Sequence, residues 1–289
     1  MKSNFRNANY YYIALSLFIA LFGFVLRAYR WKYALNFMGY HPAFANKLMA
    51  VCISYFVNMT IPRSGEISRA VVLHKYEDVP FDKGFGTIIA ERIIDLLLFL
   101  IFVILALVFQ FRELSNFVDK HIPIPMLLTG IAGALVFLIL LGLLWFYSKF
   151  KLILSLKQKI AGLTEGVLAI WRTPYRLPFL YYSVLIWLTY LLMFYVAIFA
   201  LPETGTIGFG AVMMAFIFGS LAIGFTNSGF GAYPVLVAEV LLIYGVSEPS
   251  GNALGWLAWV SQTLLTAALG ALSFVLLPIV NRKKIAARH

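Results

Sequence analysis

The sequence predicts an all-α polytopic membrane protein, and its composition and segment lengths both favour that fold class. AVILMFWYC residues make up 62% of the 289 positions, DEKR residues only 12%, and the mean hydropathy is +0.88. So few polar groups cannot cover the surface of a water-soluble domain of this size. Because a spanning helix needs about 20 mostly apolar residues, the chain has room for several spans and for no large soluble domain.

Several other protein classes are excluded by missing residues and motifs. Cys52 is the single cysteine and the four histidines are scattered, so we expect no disulfide, no metal site and no cofactor. There is no Walker A motif, no Ser/His/Asp grouping stands out, and the GxG pairs at 84–86, 208–210 and 229–231 lack a third glycine. We therefore expect a protein that is not an enzyme.

Five segments have the length and composition of full spanning helices. They lie at about 10–27, 87–110, 126–147, 178–200 and 253–279. Pro178 and Pro278 fall near the ends of their segments, where proline costs little helix stability. Lys2 and Arg6 precede the first segment and no small-residue cleavage site follows it, so we expect a retained signal anchor.

The stretch at about 44–75 predicts a hairpin of two helices separated by a break. Its apolar run, 48–57, is too short to span a membrane. The run is followed by Asn58-Met59-Thr60-Ile61-Pro62-Arg63-Ser64-Gly65-Glu66, which is rich in turn-forming and charged residues. Backbone freed by such a break must be buried in protein or face water, because lipid cannot satisfy it.

A second hairpin is predicted at about 207–246. Its break contains Asn227, Gly229, Gly231 and Tyr233, within Thr226-Asn227-Ser228-Gly229-Phe230-Gly231-Ala232-Tyr233-Pro234. The two glycines let another backbone or a lipid headgroup approach closely. Glu239 follows the break between apolar residues, so we expect it to face the interior.

The distribution of basic residues favours two re-entrant hairpins. Most of the 23 Lys and Arg lie in 26–47, 61–86, 148–177 and the C-terminal tail. All four regions are cytoplasmic if each hairpin enters and leaves on one side, which places the C-terminus inside and the N-terminus outside. That pattern accounts for the net charge of +11 without nucleic acid as a partner. If 44–60 instead spans alone, the N-terminus lies inside and the 26–47 cluster outside.

Re-entrant hairpins divide the single transmembrane domain, 1–289, into two units of opposite direction. Repeat A covers about 10–110, and repeat B covers about 178–280 after the connecting helix at 126–147. Broken segments at matching places in inverted repeats point to the substrate site of a transporter. The alternative is two breaks without symmetry, because glycine and proline are common in membrane helices.

Ionisable groups within these segments are functional candidates, because they are costly inside a membrane. Arg63 and Arg69 lie near the first break, and guanidinium groups bind phosphate bidentately. Their neighbour Glu66 is three positions from Arg69, so the two can pair on one helix face. A supporting network consists of Glu91, Arg92, Asp95 and Glu239, in which Arg92 and Asp95 can also pair. The alternative is a purely structural set of salt bridges.

Two of these motifs resemble those of a known family. Asn58…Pro62-Arg63-Ser64-Gly65-Glu66-x-x-Arg69, followed by Glu91-Arg92-x-x-Asp95, resembles the flippase-like family related to the transmembrane region of lysylphosphatidylglycerol synthases. The resemblance covers most of the chain. The family's late P-x-G-G-x-G pattern is only partly present, because its proline and first glycine are missing around Gly229 and Pro234 stands where an acid often follows.

The resemblance implies a lipid flippase in the cell (inner or plasma) membrane. It would move a phospholipid, an aminoacyl-phospholipid or a polyprenyl-phosphate-type lipid between leaflets, with membrane lipids as partners. We expect a stand-alone form, because the chain has no room for the synthase domain. The hypothesis assigns Arg63 and Arg69 to the lipid phosphate and Glu66 to charge balance or a cationic headgroup. The break would be shaped by Asn58, Pro62 and Gly65, and the first hairpin oriented by Glu91, Arg92 and Asp95.

Two rival functions stay open at the level of sequence. The first is a non-transporting membrane partner of a lipid-modifying enzyme or a glycosyltransferase. The second is a membrane-embedded enzyme acting on lipid headgroups, with Glu66 or Glu91 as the base. The sequence does not determine the lipid, the direction of transport or the oligomeric state.

Overall fold

The structure, a computed structural model, describes residues 1–111 and 174–282, and all regular structure in these two ranges is helical. The first range contains α1 (Lys2–Asn7), α2 (Tyr10–Phe37), α3 (Phe44–Thr60), α4 (Gly65–Glu77) and α5 (Phe81–Phe109). The second contains α6 (Arg176–Ile198), a 3₁₀ turn (Thr204–Thr206), α7 (Phe209–Phe225), α8 (Ala232–Ile243) and α9 (Glu248–Val280). The predicted all-α fold class is confirmed, and the connecting helix predicted at 126–147 lies outside the described residues.

Four of these helices, α2, α5, α6 and α9, are long and apolar enough to span a membrane. They cover four of the predicted spans, but α2 continues to Phe37 and α5 already begins at Phe81. The predicted helix boundaries at 27 and 87 are therefore wrong. The physical reason is that the charged residues there, Arg27 and Arg30 on α2, are buried among partners inside the bundle and do not end the helix.

The outer face of α5 shows why the bundle needs an apolar surrounding. Leu97, Ile101, Ile104 and Val108 are all at least 48% exposed. A water-soluble monomer does not expose so long an apolar stripe on one helix, whereas lipid chains pack against it without cost. The apolar core lies in two parts, one around α2–α5 and the other around α6–α9.

Both predicted hairpins consist of two helices separated by a break. The first, hairpin 1, is α3 and α4 with the break at 61–64. The second, hairpin 2, is α7 and α8 with the break at 226–231. Each of these helices is 12 to 17 residues long, shorter than the about 20 residues of a full span.

Hairpin 1 starts and ends at one end of the bundle. Asn46, in the first turn of α3, exchanges two side-chain hydrogen bonds of 2.8 Å with Asn281 at the end of α9. Asn46 also donates to Glu77, the last residue of α4. We call this the basic end, because it carries Lys32, Lys47, Lys75, Lys83, Arg176 and Arg282.

Hairpin 2 starts and ends at the other end of the bundle, the far end. The Tyr244 hydroxyl, just after α8, donates to the Gln110 amide oxygen at 3.1 Å, and Gly210 in α7 lies against the same amide. The N-terminus lies there too, because the Asn9 amide donates to the Ala200 carbonyl at 2.8 Å and Asn4 donates to Ser250 at 2.9 Å.

These contacts give the helix directions. The chain runs to the basic end in α2, through hairpin 1 from that end, and away again in α5. The second described range begins at the basic end. From there the chain runs to the far end in α6, enters and leaves hairpin 2 at the far end, and returns to the basic end in α9. Helix, hairpin and helix thus occur twice with opposite directions. The exact boundaries of the two repeats stay a prediction, because 112–173 lie outside the described residues.

Glycines on α9 allow both hairpins to pack closely against that helix. A Cβ on Gly270 would lie 2.2 Å from the Phe56 Cβ in α3, and one on Gly255 would lie 2.6 Å from the Pro234 Cα in α8. Small residues at such contacts are how helices approach one another inside membranes. Helix α9 therefore holds hairpins 1 and 2 side by side.

Candidate functional site

The first break is built by Asn58, Arg63 and Gly65. The Asn58 side-chain oxygen accepts a hydrogen bond from the Gly65 amide at 2.8 Å, so α3 caps the start of α4. A Cβ on Gly65 would lie 2.0 Å from the Ser54 carbonyl oxygen, so this close approach requires glycine. Between them, Arg63 adopts φ +62°, a left-handed conformation that is costly for a non-glycine residue. Arg63 and Pro62 are exposed.

The second break consists of left-handed turns held from α9. Ser228, Gly229 and Gly231 have φ values of +53°, +79° and +70°. The Trp259 indole donates to the Ser228 carbonyl at 2.8 Å. Tyr233 is buried beneath Gly229, where an added Cβ would lie 3.1 Å from the Tyr233 Cβ.

The two breaks contact each other. The Ser228 hydroxyl donates to the Asn58 carbonyl at 3.2 Å, and the Asn227 amide donates to the Met59 carbonyl at 3.3 Å. Carbonyls in the last turn of a helix have no intrahelical partner, and here hairpin 2 supplies partners for two carbonyls of hairpin 1. We call residues 58–66 and 226–231 the break junction.

A partly exposed ion pair borders the break junction. Arg92 on α5 donates to Glu66 on α4, and the Arg92 side chain is 40% exposed. The other Glu66 oxygen lies 3.5 Å from the Asn58 amide nitrogen. The pairing of Glu66 with Arg69 that the sequence predicted is wrong, because the two side chains find partners on α5 instead.

Behind this pair lies a cluster of charges that is almost fully buried. The buried charge cluster comprises Arg27 and Arg30 of α2, Arg69 of α4, and Glu91 and Asp95 of α5, each at most 6% exposed. Arg69 donates to both Glu91 oxygens, at 2.7 and 3.3 Å. Arg30 bridges Glu91 and Asp95, and Arg27 lies 3.3 Å from Asp95. The predicted pair between Arg92 and Asp95 is therefore also wrong.

The cluster holds three guanidinium groups against two carboxylates, so it carries a net charge of +1. Aromatic rings stabilise the excess positive charge through cation–π contacts. The Arg69 guanidinium lies 3.7 Å from the centre of the Trp31 ring, and that of Arg27 lies 5.5 Å from the rings of Tyr55 and Tyr190. The Tyr190 hydroxyl also accepts a hydrogen bond from the Arg27 Nε at 2.5 Å.

Arg27 and Arg30 are site residues that the sequence interpretation missed, because it counted them as markers of a cytoplasmic loop. The missed signal is that they are three positions apart, on one helix face, in a stretch that continues through the apolar Trp31 and Leu35. The depth of the acids was also underestimated. With a rise of about 1.5 Å per residue, Glu91 and Asp95 lie about 15 and 21 Å from the start of α5.

Two other predicted residues lie elsewhere than expected. Glu239 is on the exposed side of α8, so the expectation that it faces the interior is wrong. The flanking apolar residues misled that prediction, because α8 is apolar on all sides and its pattern does not identify a buried face. Arg69 is only 4% exposed and bound to Glu91, so it does not reach the surface of the break junction.

The described residues contain no group of three or more His, Cys, Asp or Glu side chains placed to hold a metal ion. Both candidate bases of the enzyme alternative are bound by arginine, Glu66 by Arg92 and Glu91 by Arg69 and Arg30. The arrangement offers guanidinium groups and freed backbone at a junction of two hairpins, which suits the binding of an anion.

Comparison with known proteins supports the assignment of this fold. Residues 1–270 match the sequence profile described as "Lysylphosphatidylglycerol synthase TM region". A UPF0104 membrane protein of Methanocaldococcus jannaschii is 32% identical over 99 residues, which are 33% of this chain and 30% of the relative. A UPF0104 membrane protein of Methanothermobacter thermautotrophicus is 30% identical over 126 residues, 43% of this chain and 36% of the relative.

The chain thus covers about a third of the length of both curated relatives. No solved structure matches it. The profile match spans both hairpins, the buried charge cluster and most of α9, which are the parts that form the break junction and its support. The chain belongs to the lysylphosphatidylglycerol synthase TM region family.

Proposed function

We propose that this protein translocates a phosphate-bearing lipid between membrane leaflets, with the headgroup passing the break junction. The observation that carries the proposal is that two hairpins approach from opposite ends and their breaks meet beside an exposed arginine. Broken helices meeting at a repeat interface are a common form of substrate site in transporters. A phospholipid, an aminoacyl-phospholipid or a polyprenyl-phosphate-type lipid would each present the required anion.

In this proposal both hairpins are re-entrant. Their helices are too short to span singly, and both ends of each hairpin lie at the same end of the bundle. The basic end is cytoplasmic, because cytoplasmic regions carry the excess of Lys and Arg. The N-terminus and the loops around Glu203 and Glu248 then lie outside.

Arg63 is the residue that we assign to the lipid phosphate. Its side chain is exposed, and it forms no hydrogen bond or ion pair with any residue in the described part of the chain. Residues held in strained backbone conformations cluster at ligand sites, and the φ of Arg63 is of this kind. A guanidinium group without a protein partner can bind phosphate through two parallel hydrogen bonds.

We assign the second phosphate contact, which the sequence hypothesis gave to Arg69, to Arg92. Arg69 is buried behind Glu91, whereas Arg92 is partly exposed and paired with Glu66. An exposed ion pair is worth little, about 0–1 kcal/mol, so Arg92 can exchange Glu66 for a lipid phosphate at low cost. A cationic headgroup would in turn bind the released Glu66.

The proposal is tested in phosphatidylcholine vesicles that contain fluorescent phosphatidylglycerol and the purified protein. Transport is measured as the fraction of label that a membrane-impermeant quencher bleaches over time. We expect Arg63→Ala and Glu66→Gln to abolish protein-dependent transport. The matched control is Arg176→Ala, which removes an exposed arginine at the start of α6, away from the break junction. Wild-type rates in both junction variants would contradict the proposal.

A second variant at the same position separates the side chain from the backbone. Arg63→Gly removes the guanidinium group and also relieves the strain at φ +62°. It should be about 1 kcal/mol more stable than the wild type and still fail to transport. A fully active Arg63→Gly variant would show that the arginine contributes only to backbone geometry.

The rival functions appear as distinct outcomes of the same experiment. A wild-type protein that moves no lipid and copurifies with a lipid-modifying enzyme or a glycosyltransferase would indicate the scaffold function. A headgroup changed in mass, as measured by mass spectrometry of the recovered lipid, would indicate the membrane-embedded enzyme. Either result would overturn the proposal of transport.

A further inference from the structure

A second basic site lies at the basic end, away from the break junction. A cavity of about 320 Å³ lies between the last turns of α2 and the first turn of α3. Its lining includes two lysines, Lys32 and Lys47, together with the polar side chains of Tyr29, Asn36 and His41. Neither the family motifs nor the proposed transport path uses these residues.

Lys47 is the unusual residue of this cavity. The residue is only 3% exposed, and its side chain lines the cavity without a hydrogen bond or ion pair to any residue of 1–111 or 174–282. Lys32, on the facing turn of α2, is close enough to repel it electrostatically. An ammonium group that faces a cavity beside a second lysine, without a protein partner, attracts an anion.

Glu77, an acid that acts on Lys47, is already engaged by other partners. Glu77 attracts Lys47 electrostatically, but its Oε1 accepts hydrogen bonds from the Ala43 amide, at 3.0 Å, and from the Asn46 side chain. Two cations therefore face the cavity with only partial compensation.

Neutral donors complete the lining. In the amide orientation that satisfies its neighbours, Asn36 donates to the Lys32 carbonyl at 3.1 Å and to the His41 Nδ1 at 3.0 Å. A neutral His41 whose Nδ1 accepts this bond carries its proton on Nε2 and can donate it. The Tyr29 ring is held against Phe44, with their centres 4.6 Å apart, and its hydroxyl is a further donor.

We propose that this cavity binds a phosphate group between Lys32 and Lys47, with His41 and Tyr29 as neutral donors. Two ammonium groups match the charge of a phosphate, and lysine binds phosphate as a point charge. The chemistry is shared by two sources, the headgroup of an anionic phospholipid and a soluble phosphate ester. The cavity accommodates a phosphate with a small substituent, and an acyl chain would have to lie outside it.

The test measures binding and is independent of transport. The purified protein in phosphatidylcholine nanodiscs is titrated with inorganic phosphate and with glycerol phosphate, and thermal unfolding reports binding. A second set of nanodiscs contains phosphatidylglycerol, and native mass spectrometry counts the lipids retained. The variants are Lys32→Gln and Lys47→Gln, and the matched control is Lys83→Gln, an exposed lysine of the same end.

We expect Lys32→Gln and Lys47→Gln each to weaken binding by about tenfold or more, and Lys83→Gln to bind as the wild type does. Without added anion, Lys47→Gln should unfold at the same or a higher temperature, because it removes a charge that partial burial and the neighbouring Lys32 both disfavour. A structural Lys47 would instead give a lower unfolding temperature with unchanged anion binding, and that result would overturn the proposal. So would a wild type that binds none of the probes.

Two further comparisons identify the source and separate this site from the break junction. Binding of phosphatidylglycerol alone identifies a lipid headgroup, and binding of glycerol phosphate identifies a soluble ester; both support the shared chemistry. In an Arg63→Ala background, Lys47→Gln should still weaken binding of the soluble probes by about tenfold, because the two residues belong to separate sites. If Arg63→Ala loses that binding while Lys47→Gln keeps it, the phosphate site lies at the break junction and the lysine cavity is not one.

Discussion

Asp95 accepts hydrogen bonds from two arginines of a different helix, Arg27 and Arg30, and its side chain is only 9% exposed. Each pairing offsets part of the large cost of burying these ions. Because the buried charge cluster already has one guanidinium group more than it has carboxylates, it has no spare acid. The Glu66–Arg92 pair should matter much less for folding. Arg92 is 40% exposed, so water can solvate its charge when the partner is removed.

The first prediction compares these two acids. Asp95→Asn keeps the shape of the side chain but leaves Arg30 with Glu91 as its remaining carboxylate and takes away the carboxylate bound by Arg27, so it should destabilise the fold by about 3–5 kcal/mol. Glu66→Gln should change the stability by less than about 1 kcal/mol. Unfolding in detergent, followed by circular dichroism at rising denaturant, measures both.

The comparison also tests whether the cluster is structural. Equal stability of Asp95→Asn and the wild type would mean that the arginines find other partners or that water reaches them. The double variant Arg27→Gln/Asp95→Asn should recover part of the lost stability, because it removes one of the uncompensated charges.

At the scale of the element, hairpin 1 depends on how closely its two helices approach at the break. Gly65 lies against the Ser54 carbonyl and the Asn58 side chain, so α4 starts within the last turns of α3. This contact fixes where the break ends and presents the Asn58 and Met59 carbonyls to hairpin 2. The geometry of one glycine therefore determines the position of the whole break junction.

The second prediction is made for this glycine. Gly65→Ala should destabilise the protein by about 1–3 kcal/mol, because the new methyl group forces backbone shifts at the hairpin tip. The matched control is Gly86→Ala on α5, where a Cβ meets nothing within 4 Å. The control should be neutral or stabilising by about 0.5–1 kcal/mol. Thermal unfolding of both variants in one detergent measures the difference.

Transport should respond to these variants in the same order. Because Gly65 positions both breaks, we expect Gly65→Ala to lose transport even at a temperature where it remains folded, and Gly86→Ala to keep it. Wild-type transport by a folded Gly65→Ala variant would show that the junction tolerates a displaced α4.

At the scale of the whole molecule, the two ends of the bundle differ in charge. The basic end carries six described Lys and Arg residues against the acids Glu77, Asp78 and Asp82, whereas the far end carries Glu203 and Glu248 beside Lys2 and Arg6. Hydrogen bonds from Ser250 and Ser247 at the far end lower the pKa of Glu203, so this exposed acid is ionised at neutral pH. The difference in charge predicts a single orientation in the membrane.

The third prediction tests this orientation with single cysteines in a Cys52→Ala background. Asp82→Cys at the basic end should react with an impermeant maleimide only after the cells are permeabilised, because the proposed topology places that end in the cytoplasm. Glu248→Cys at the far end should react in intact cells. Both native residues are exposed, so burial does not limit labelling.

Lys2→Cys should react like Glu248→Cys, because the N-terminal segment is hydrogen-bonded to Ser250 and Ala200. Labelling of 82 and 248 from the same side would contradict the helix directions. Labelling of both from the sides opposite to those expected would contradict the cytoplasmic assignment of the basic end and leave the fold intact.

The sequence by itself determined the fold class, four of the described spans, the positions of both breaks and the family. These features depend on the lengths of apolar runs and on local turn-forming residues, which neighbouring helices change little. The sequence hypothesis named Asn58 and Gly65 among the residues that shape the first break, and the hydrogen bond between them is a finding of the structure.

Only the tertiary structure decided which charges pair. Partners three positions apart on an exposed helix gain only about 0.2–0.5 kcal/mol, so the expected pairs Glu66–Arg69 and Arg92–Asp95 do not form, and these residues pair with neighbouring helices. The partners of Arg69 and Asp95 are buried, where the low dielectric strengthens each contact. The structure adds Arg27 and Arg30 to the residues expected from the sequence and shows that Glu239 is exposed. Helix packing determines which face of each helix is buried. The contact between the two breaks likewise depends on α9 holding hairpins from opposite ends together, which no local pattern contains.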